Sequence, residues 1–130
     1  MIADPPRGLI SFDIDGTLEV GDPVGPISMD MVREAKKLGY VIGSCSDRIM
    51  REQREIWKRN EIVVDFVSLK QNLELLRDVF DCDRFIHIGD TIVDERYAAQ
   101  ARFDFRFADD LARQLQGLVD RAAVNWTTYI

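Results

Sequence analysis

Long apolar runs, basic stretches and cysteines are what this chain of 130 residues has least of. No apolar segment approaches the ~20 residues that cross a bilayer, and the opening Met1-Ile2-Ala3-Asp4-Pro5-Pro6-Arg7 has neither the basic start nor the apolar centre of a signal peptide. No membrane partner is expected, a cytoplasmic location is, and that opening reads as a lead-in to the first strand. The two cysteines, Cys45 and Cys82, lie in different segments without metal-ligand spacing, which predicts two buried thiols rather than a disulfide. Formal net charge is −6, and the basic residues that do cluster, Arg48, Arg51, Arg54, Lys58 and Arg59, are interleaved with Glu52, Glu55 and Glu61. That pattern reads as a solvated, salt-bridged helix face. Nucleic acid is not indicated, because phosphate-backbone binding usually shows a basic face. The only histidine, His87, sits inside an apolar run, where a hydrogen-bonded core residue is expected rather than a catalytic one.

What is present is an ordinary globular composition, 46% hydrophobic and 31% charged, at the size of one domain spanning residues 1–130. Strand-like and helix-like segments alternate. Strands are predicted at Leu9–Phe12, Tyr40–Cys45, Val63–Leu69 and Phe85–Ile88, with a half-exposed edge strand at Phe103–Phe107. Between them, helices are predicted from Met29 to Leu38 behind a Ser28 cap, from Arg48 to Arg59, from Lys70 to Phe80 and from Asp94 to Arg102. On the Arg48–Arg59 helix, Ile49, Gln53, Ile56 and Trp57 are spaced to share a face. A last helix starts near Asp109 and reaches Leu118 or beyond, and the tail from Asn125 is ambiguous. Gly21, Pro23, Gly25 and Pro26 mark an irregular or hairpin-like excursion after the first strand. The two tryptophans and the Phe103/Phe105/Phe107 set read as packing. Such alternation predicts an α/β fold, a Rossmann-like three-layer sandwich around a central, mainly parallel five-stranded sheet.

In sheets of that kind ligands bind outside the carboxyl ends of the strands. Polar or acidic residues stand at four of those ends: Asp13 and Asp15, Ser44 and Ser46, Lys70, and Asp90. Side chains alternate along a strand, so Asp13 and Asp15 would point the same way on regular backbone. Two carboxylates so placed repel each other and are costly to bury unless a positive charge lies between them. A divalent cation is the natural candidate. Asp90 and Asp94, just past another apolar strand, add two more carboxylates near a helix start, with N-capping as the alternative reading. Together the two groups supply hard anionic oxygens for Mg²⁺.

The ordered set Asp13-x-Asp15-Gly16-Thr17, Ser46, Lys70 and Gly89-Asp90-x-x-x-Asp94 resembles the four motifs of the haloacid dehalogenase superfamily, over about Leu9 to Leu118. The resemblance implies a capless, Mg²⁺-dependent phosphatase that hydrolyses a phosphomonoester through an aspartyl-phosphate. By position, Asp13 resembles the nucleophile and Asp15 the general acid/base. The implied metal site is the Asp13 carboxylate, the Asp15 main-chain carbonyl and Asp90, with Asp94 direct or through water. Ser46 would hydrogen-bond a phosphoryl oxygen and Lys70 would neutralise charge. Ser44 competes with Ser46, although Ser46-Asp47-Arg48 resembles the Thr/Ser-x-Arg ending of that motif. Where the family often has glycine after its alanine-rich helix, this chain has Arg102, which questions the local turn.

Neither the interval from Thr17 to the second strand nor that from Ser46 to Lys70 holds a cap domain. An open site implies a large phosphorylated substrate that itself excludes water, a second subunit as a lid, or a small-molecule phosphatase of modest selectivity. A homo-oligomer with residues 19–26 near its interface is expected in the second case. The alternatives to the leading reading are a non-catalytic binding or regulatory module on the same fold, and a polynucleotide end-phosphatase.

Overall fold

A computed structural model describes residues 8–116 and Trp126. The chain runs β1 (Gly8–Phe12), α1 (Met29–Lys37), β2 (Val41–Ser46), α2 (Met50–Arg59), β3 (Phe66–Leu69), a 3₁₀ segment (Lys70–Leu75), α3 (Leu76–Val79), β4 (Arg84–Gly89), α4 (Ile92–Gln100), β5 (Asp104–Phe107) and α5 (Ala108–Gln116). The five strands form one all-parallel sheet in the order β3-β2-β1-β4-β5. The opening Met1–Arg7, the expected end of the last helix at Leu118 and most of the C-terminal tail lie outside the described residues. No described helix is long and apolar enough to cross a membrane.

Period-two alternation splits the core between two faces. Ile10 and Phe12 of β1, Ile42 of β2, and Ile86 and Ile88 of β4 belong to one cluster with α1, α2 and α5. Trp126 joins it edge-on to Phe12 and donates its indole N–H to the Met31 carbonyl at 2.9 Å. Leu9, Val41, Cys45 and Phe85 lie on the opposite face with the 3₁₀ segment, α3 and α4. The result is the three-layer α/β arrangement, with no additional domain among the described residues. Cys45 is buried and Cys82 only half-buried; burial pushes the Cys45 thiol up to about 12, which leaves it an inert packing residue.

Several boundaries differ from the sequence expectation. The third strand begins at Phe66 instead of Val63, because the Asp65 carboxylate accepts the Ile42 N–H at 2.9 Å and takes the place of a ladder bond; Val63 is left exposed. The predicted helix from Lys70 to Phe80 divides into the 3₁₀ segment and a short α3, with Asn72 out of helical geometry. Helix α2 starts at Met50, so Ile49 is exposed at its N-cap instead of sharing the buried face with Gln53, Ile56 and Trp57. Ser28 caps α1 as expected, accepting from Met31 N at 3.1 Å. Of the two forms expected for the excursion after β1 the irregular one is found, a strap in which Leu18 and Ile27 form an isolated parallel bridge and Gly16 N donates to Pro23 O at 2.7 Å.

Helix α4 closes on Arg102 at φ 60°, with Arg102 N bonded to Ala99 O and Phe103 N to Ala98 O. This is the left-handed stop at which glycine is favoured; α1 has Gly39 there, at φ 96°. The turn therefore forms without glycine, at a cost of about 1 kcal/mol. Arg102→Gly keeps the carbonyl that accepts from Arg77 and removes that cost. Its melting temperature should rise by about 4 °C; an unchanged or lower value in calorimetry would contradict the strain argument.

Candidate active site

The chain passes from β1 outward through β2 to β3, then returns to the other side of β1 for β4 and β5. The strand order reverses between β1 and β4, and the crevice at their carboxyl ends is where open α/β sheets bind ligands. Asp13 leaves β1 there, its N–H still bonded to Ile88 O at 2.9 Å, and Asp90 leaves β4 beside it. Asp13, Asp15, Ser46, Lys70 and Asp90 all line one cavity of about 330 Å³, completed by Pro23, Asp47, Thr91 and Val93.

Asp13 is 5% exposed. Its Oδ1 accepts from Ile14 N at 2.8 Å and its Oδ2 from Lys70 Nζ at 3.3 Å. Burial, reinforced by the nearby Asp94 charge, nonetheless pushes its carboxyl up to about 7, against the opposing pull of Lys70 and the Ile14 N–H. Lys70, the first residue after β3, is buried, with Asp94 Oδ1 at 3.0 Å and Asp47 at 3.6 Å as further partners. Burial opposes its charge, but Asp13 and Asp94 outweigh that and hold it protonated. Lys70 therefore turns into the site and not out to solvent.

Asp94 is fully buried and works as part of a polar column under the cavity. Its Oδ1 accepts from Lys70 and from His87 Nε2 at 3.1 Å, while Oδ2 accepts from Thr91 N at 3.3 Å and Thr91 Oγ1 at 3.0 Å. Thr91 is the N-cap of α4, and Asp94 answers it across a capping box. Burial would raise its carboxyl, but the His87 hydrogen bond and the Lys70 charge overcome that and hold it well below the usual range. Burial also lowers the basicity of His87, so the ring is neutral. A carboxylate only accepts, so Nε2 carries the proton, and Nδ1 takes the Ser11 hydroxyl at 3.0 Å. The expected core histidine thus touches the site through Asp94.

Asp15 is positioned differently from Asp13. Its carboxylate takes the Arg48 guanidinium as a fork, with Nε at 3.1 Å from both oxygens and NH2 at 2.8 Å from Oδ1, and accepts Asp22 N at 2.8 Å. The Arg48 hydrogen bonds hold it below the usual carboxylate range. Arg48 is therefore a site residue and not part of the exposed basic helix face. The two serines separate cleanly. Ser44 Oγ donates to Gln53 Oε1 at 2.7 Å and accepts from Trp57 Nε1 at 2.9 Å, beneath α2. Ser46 Oγ accepts only Arg48 N, at 3.1 Å, and faces the cavity with its proton uncommitted. Gln53, buried on α2, also donates to Arg48 O and Ser68 O, at 2.8 and 2.9 Å. It ties the Arg48 turn to β3, and its one sequence signal is an amide at an apolar helical position.

Asp13, Asp90 and Asp94 each offer a carboxylate oxygen, all within 4.8 Å of one another. Three acids around one lysine leave uncompensated negative charge; burial, reinforced by the Asp94 charge, raises both the Asp13 and Asp90 carboxyls. A divalent cation fits that donor set. All four acceptor positions of Asp94 are occupied by His87, Lys70 and Thr91, which leaves Asp13 and Asp90 for direct contact and Asp94 for a role through water or through Lys70. The Asp15 carboxylate stands outside that cluster, taken up by Arg48 and the Asp22 N–H. Gly16 lets Asp90 approach: its φ is +75° and a Cβ there would lie 1.9 Å from Asp90 Oδ2.

The protonation of Asp13 has a measurable sign. With its folded value raised above the unfolded one, the native state holds the extra proton, so metal-free stability falls as pH rises from about 4 through about 7. Asp94 and His87 act oppositely, Asp94 only in more acid solution and His87 only below its unfolded value of 6.5, so neither opposes the fall above about pH 7. In chelator, the melting temperature should be lower at pH 8 than at pH 6, and excess divalent cation should remove the drop. Equal values in chelator would contradict the buried charge imbalance. Comparison of the chain with protein-family models, curated proteins and solved structures gave no match.

Proposed function

We propose that this chain is a Mg²⁺-dependent phosphomonoester phosphatase of the haloacid dehalogenase type, working through an aspartyl-phosphate on Asp13. The observation that carries the reading is the buried Asp13 carboxylate facing Lys70 at 3.3 Å, with Asp90 and Ser46 in the same cavity. An anion that must approach a phosphate needs positive charge at its side, and Lys70 supplies it between Asp13 and the phosphoryl oxygens. Mg²⁺, held by Asp13 and Asp90, would neutralise the phosphate and keep Asp13 ionised. The free Ser46 hydroxyl is the donor for one phosphoryl oxygen.

Asp15 fits the general acid/base role, with a division set by Arg48. As a carboxylate in the Arg48 fork it is ready to take the proton of the water that hydrolyses the phospho-enzyme. To protonate a leaving oxygen in the first step it must first acquire a proton, which the fork disfavours. Esters with good leaving groups should therefore react fastest. The test is release of inorganic phosphate from phenyl phosphate: turnover with Mg²⁺ and none in chelator is expected. Absence of turnover between pH 5 and 8 with Mg²⁺, Mn²⁺ or Co²⁺ would favour a non-catalytic module.

A further inference from the structure

Resting on the phosphatase reading, the geometry points to a substrate class: we infer that the preferred phosphomonoester has an uncharged, apolar leaving group. The attacking carboxylate lies at the buried floor of the cavity, with Asp13 5% exposed. In-line displacement places the leaving oxygen opposite the nucleophile, so the leaving group points outward through the mouth. That mouth is walled by Pro23 of the strap and Val93 of α4. Their chain neighbours Val24 and Ile92 are 75% and 61% exposed, and Val93 itself is 51% exposed. Apolar side chains from two separate segments are thus left in water at the one place a leaving group must pass.

Charge at the mouth agrees. Among the described residues Lys70 is the one cation lining the cavity, and it is buried against Asp13 and Asp94. The Arg48 fork is occupied by Asp15. Asp47 is exposed there instead. A leaving group bearing carboxylate or further phosphate would meet like charge at Asp47, and a polyhydroxyl group would press hydrated hydroxyls against Pro23 and Val93. An alkyl or aryl group removes Pro23 and Val93 from water.

Methyl, ethyl, butyl and hexyl phosphate have leaving alcohols of similar basicity, so kcat/KM along the series reads contact with the mouth. An increase of about two- to fourfold per methylene through the first few carbons is expected, with glycerol phosphate and phosphoglycolate below butyl phosphate. Val24→Ser combined with Val93→Ser should flatten the slope, which is read within each variant. Turnover of all esters with a flat slope, or preference for phosphoglycolate, would overturn the inference while leaving the phosphatase reading intact. No turnover of any ester, phenyl phosphate included, would overturn the phosphatase reading itself. A flat slope together with a dimer in light scattering that the double variant dissociates would assign the apolar mouth to a second copy and also overturn the inference.

Discussion

Asp13→Asn is expected to stay folded and to lose phosphatase turnover by at least about 10⁴-fold, the scale on which removal of an attacking group is felt. The side chain keeps its shape and its acceptor for Ile14 N, and the substitution removes a buried carboxylate whose charge is poorly tolerated where it lies. Metal-free Asp13→Asn should therefore melt no lower than the parent at pH 8, and its melting temperature should no longer fall between pH 6 and 8. Loss of activity with loss of fold would instead make Asp13 a structural residue. Retention of more than a few per cent of turnover would place the nucleophile elsewhere.

Removal of divalent ions should be felt nearly as strongly. Loss of a cation worth several kcal/mol of charge stabilisation corresponds to a fall on the order of 10³-fold, restored by Mg²⁺. Asp90→Ala should raise the Mg²⁺ needed for half activity by about 100-fold or more, as loss of a direct ligand exceeds the 10- to 100-fold effect of losing a supporting contact. Gly16→Ala should do the same with the ligand still present, because its Cβ would occupy the position of Asp90 Oδ2. Asp94→Asn should behave otherwise, lowering kcat more than Mg²⁺ affinity, because Asp94 orients Lys70 and His87. Full turnover after exhaustive chelation would remove the cation from the site; equal Mg²⁺ dependence in Asp94→Asn and Asp90→Ala would make Asp94 a direct ligand.

The residues at the strand ends were legible because each follows a short apolar run, and a parallel sheet carries all such ends to one edge. Asp13, Ser46, Lys70 and Asp90 needed only that rule and their order along the chain to meet in one cavity. The partners of those residues were not legible, since they depend on register and on loop paths. His87 touches Ser11 because the β1–β4 register sets them side by side, and nothing local to either residue records that alignment. Arg48 reads both as the end of the Ser46-Asp47-Arg48 stretch and as one more charge on a mixed helix face, and its partner emerges only where the helix begins at Met50 and the turn delivers the guanidinium to Asp15. The shortened third strand has the same origin: a side-chain carboxylate at Asp65 replaces a backbone partner, a competition no periodicity reports. The kink at Asn72 likewise interrupts a helical spacing of Leu73 and Leu76 that both segments still satisfy by burying those leucines.

A phosphoryl group carried by Asp13 is tested most directly by acid quenching of the protein during turnover of phenyl phosphate with Mg²⁺, followed by digestion and mass spectrometry. The expected result is a single phosphoryl increment on the peptide containing Asp13, cleaved by hydroxylamine as an acyl phosphate is, and absent from Asp13→Asn and from protein quenched in chelator. A hydroxylamine-stable increment on another peptide, or steady turnover with no increment at any quench time down to a single turnover, would contradict it.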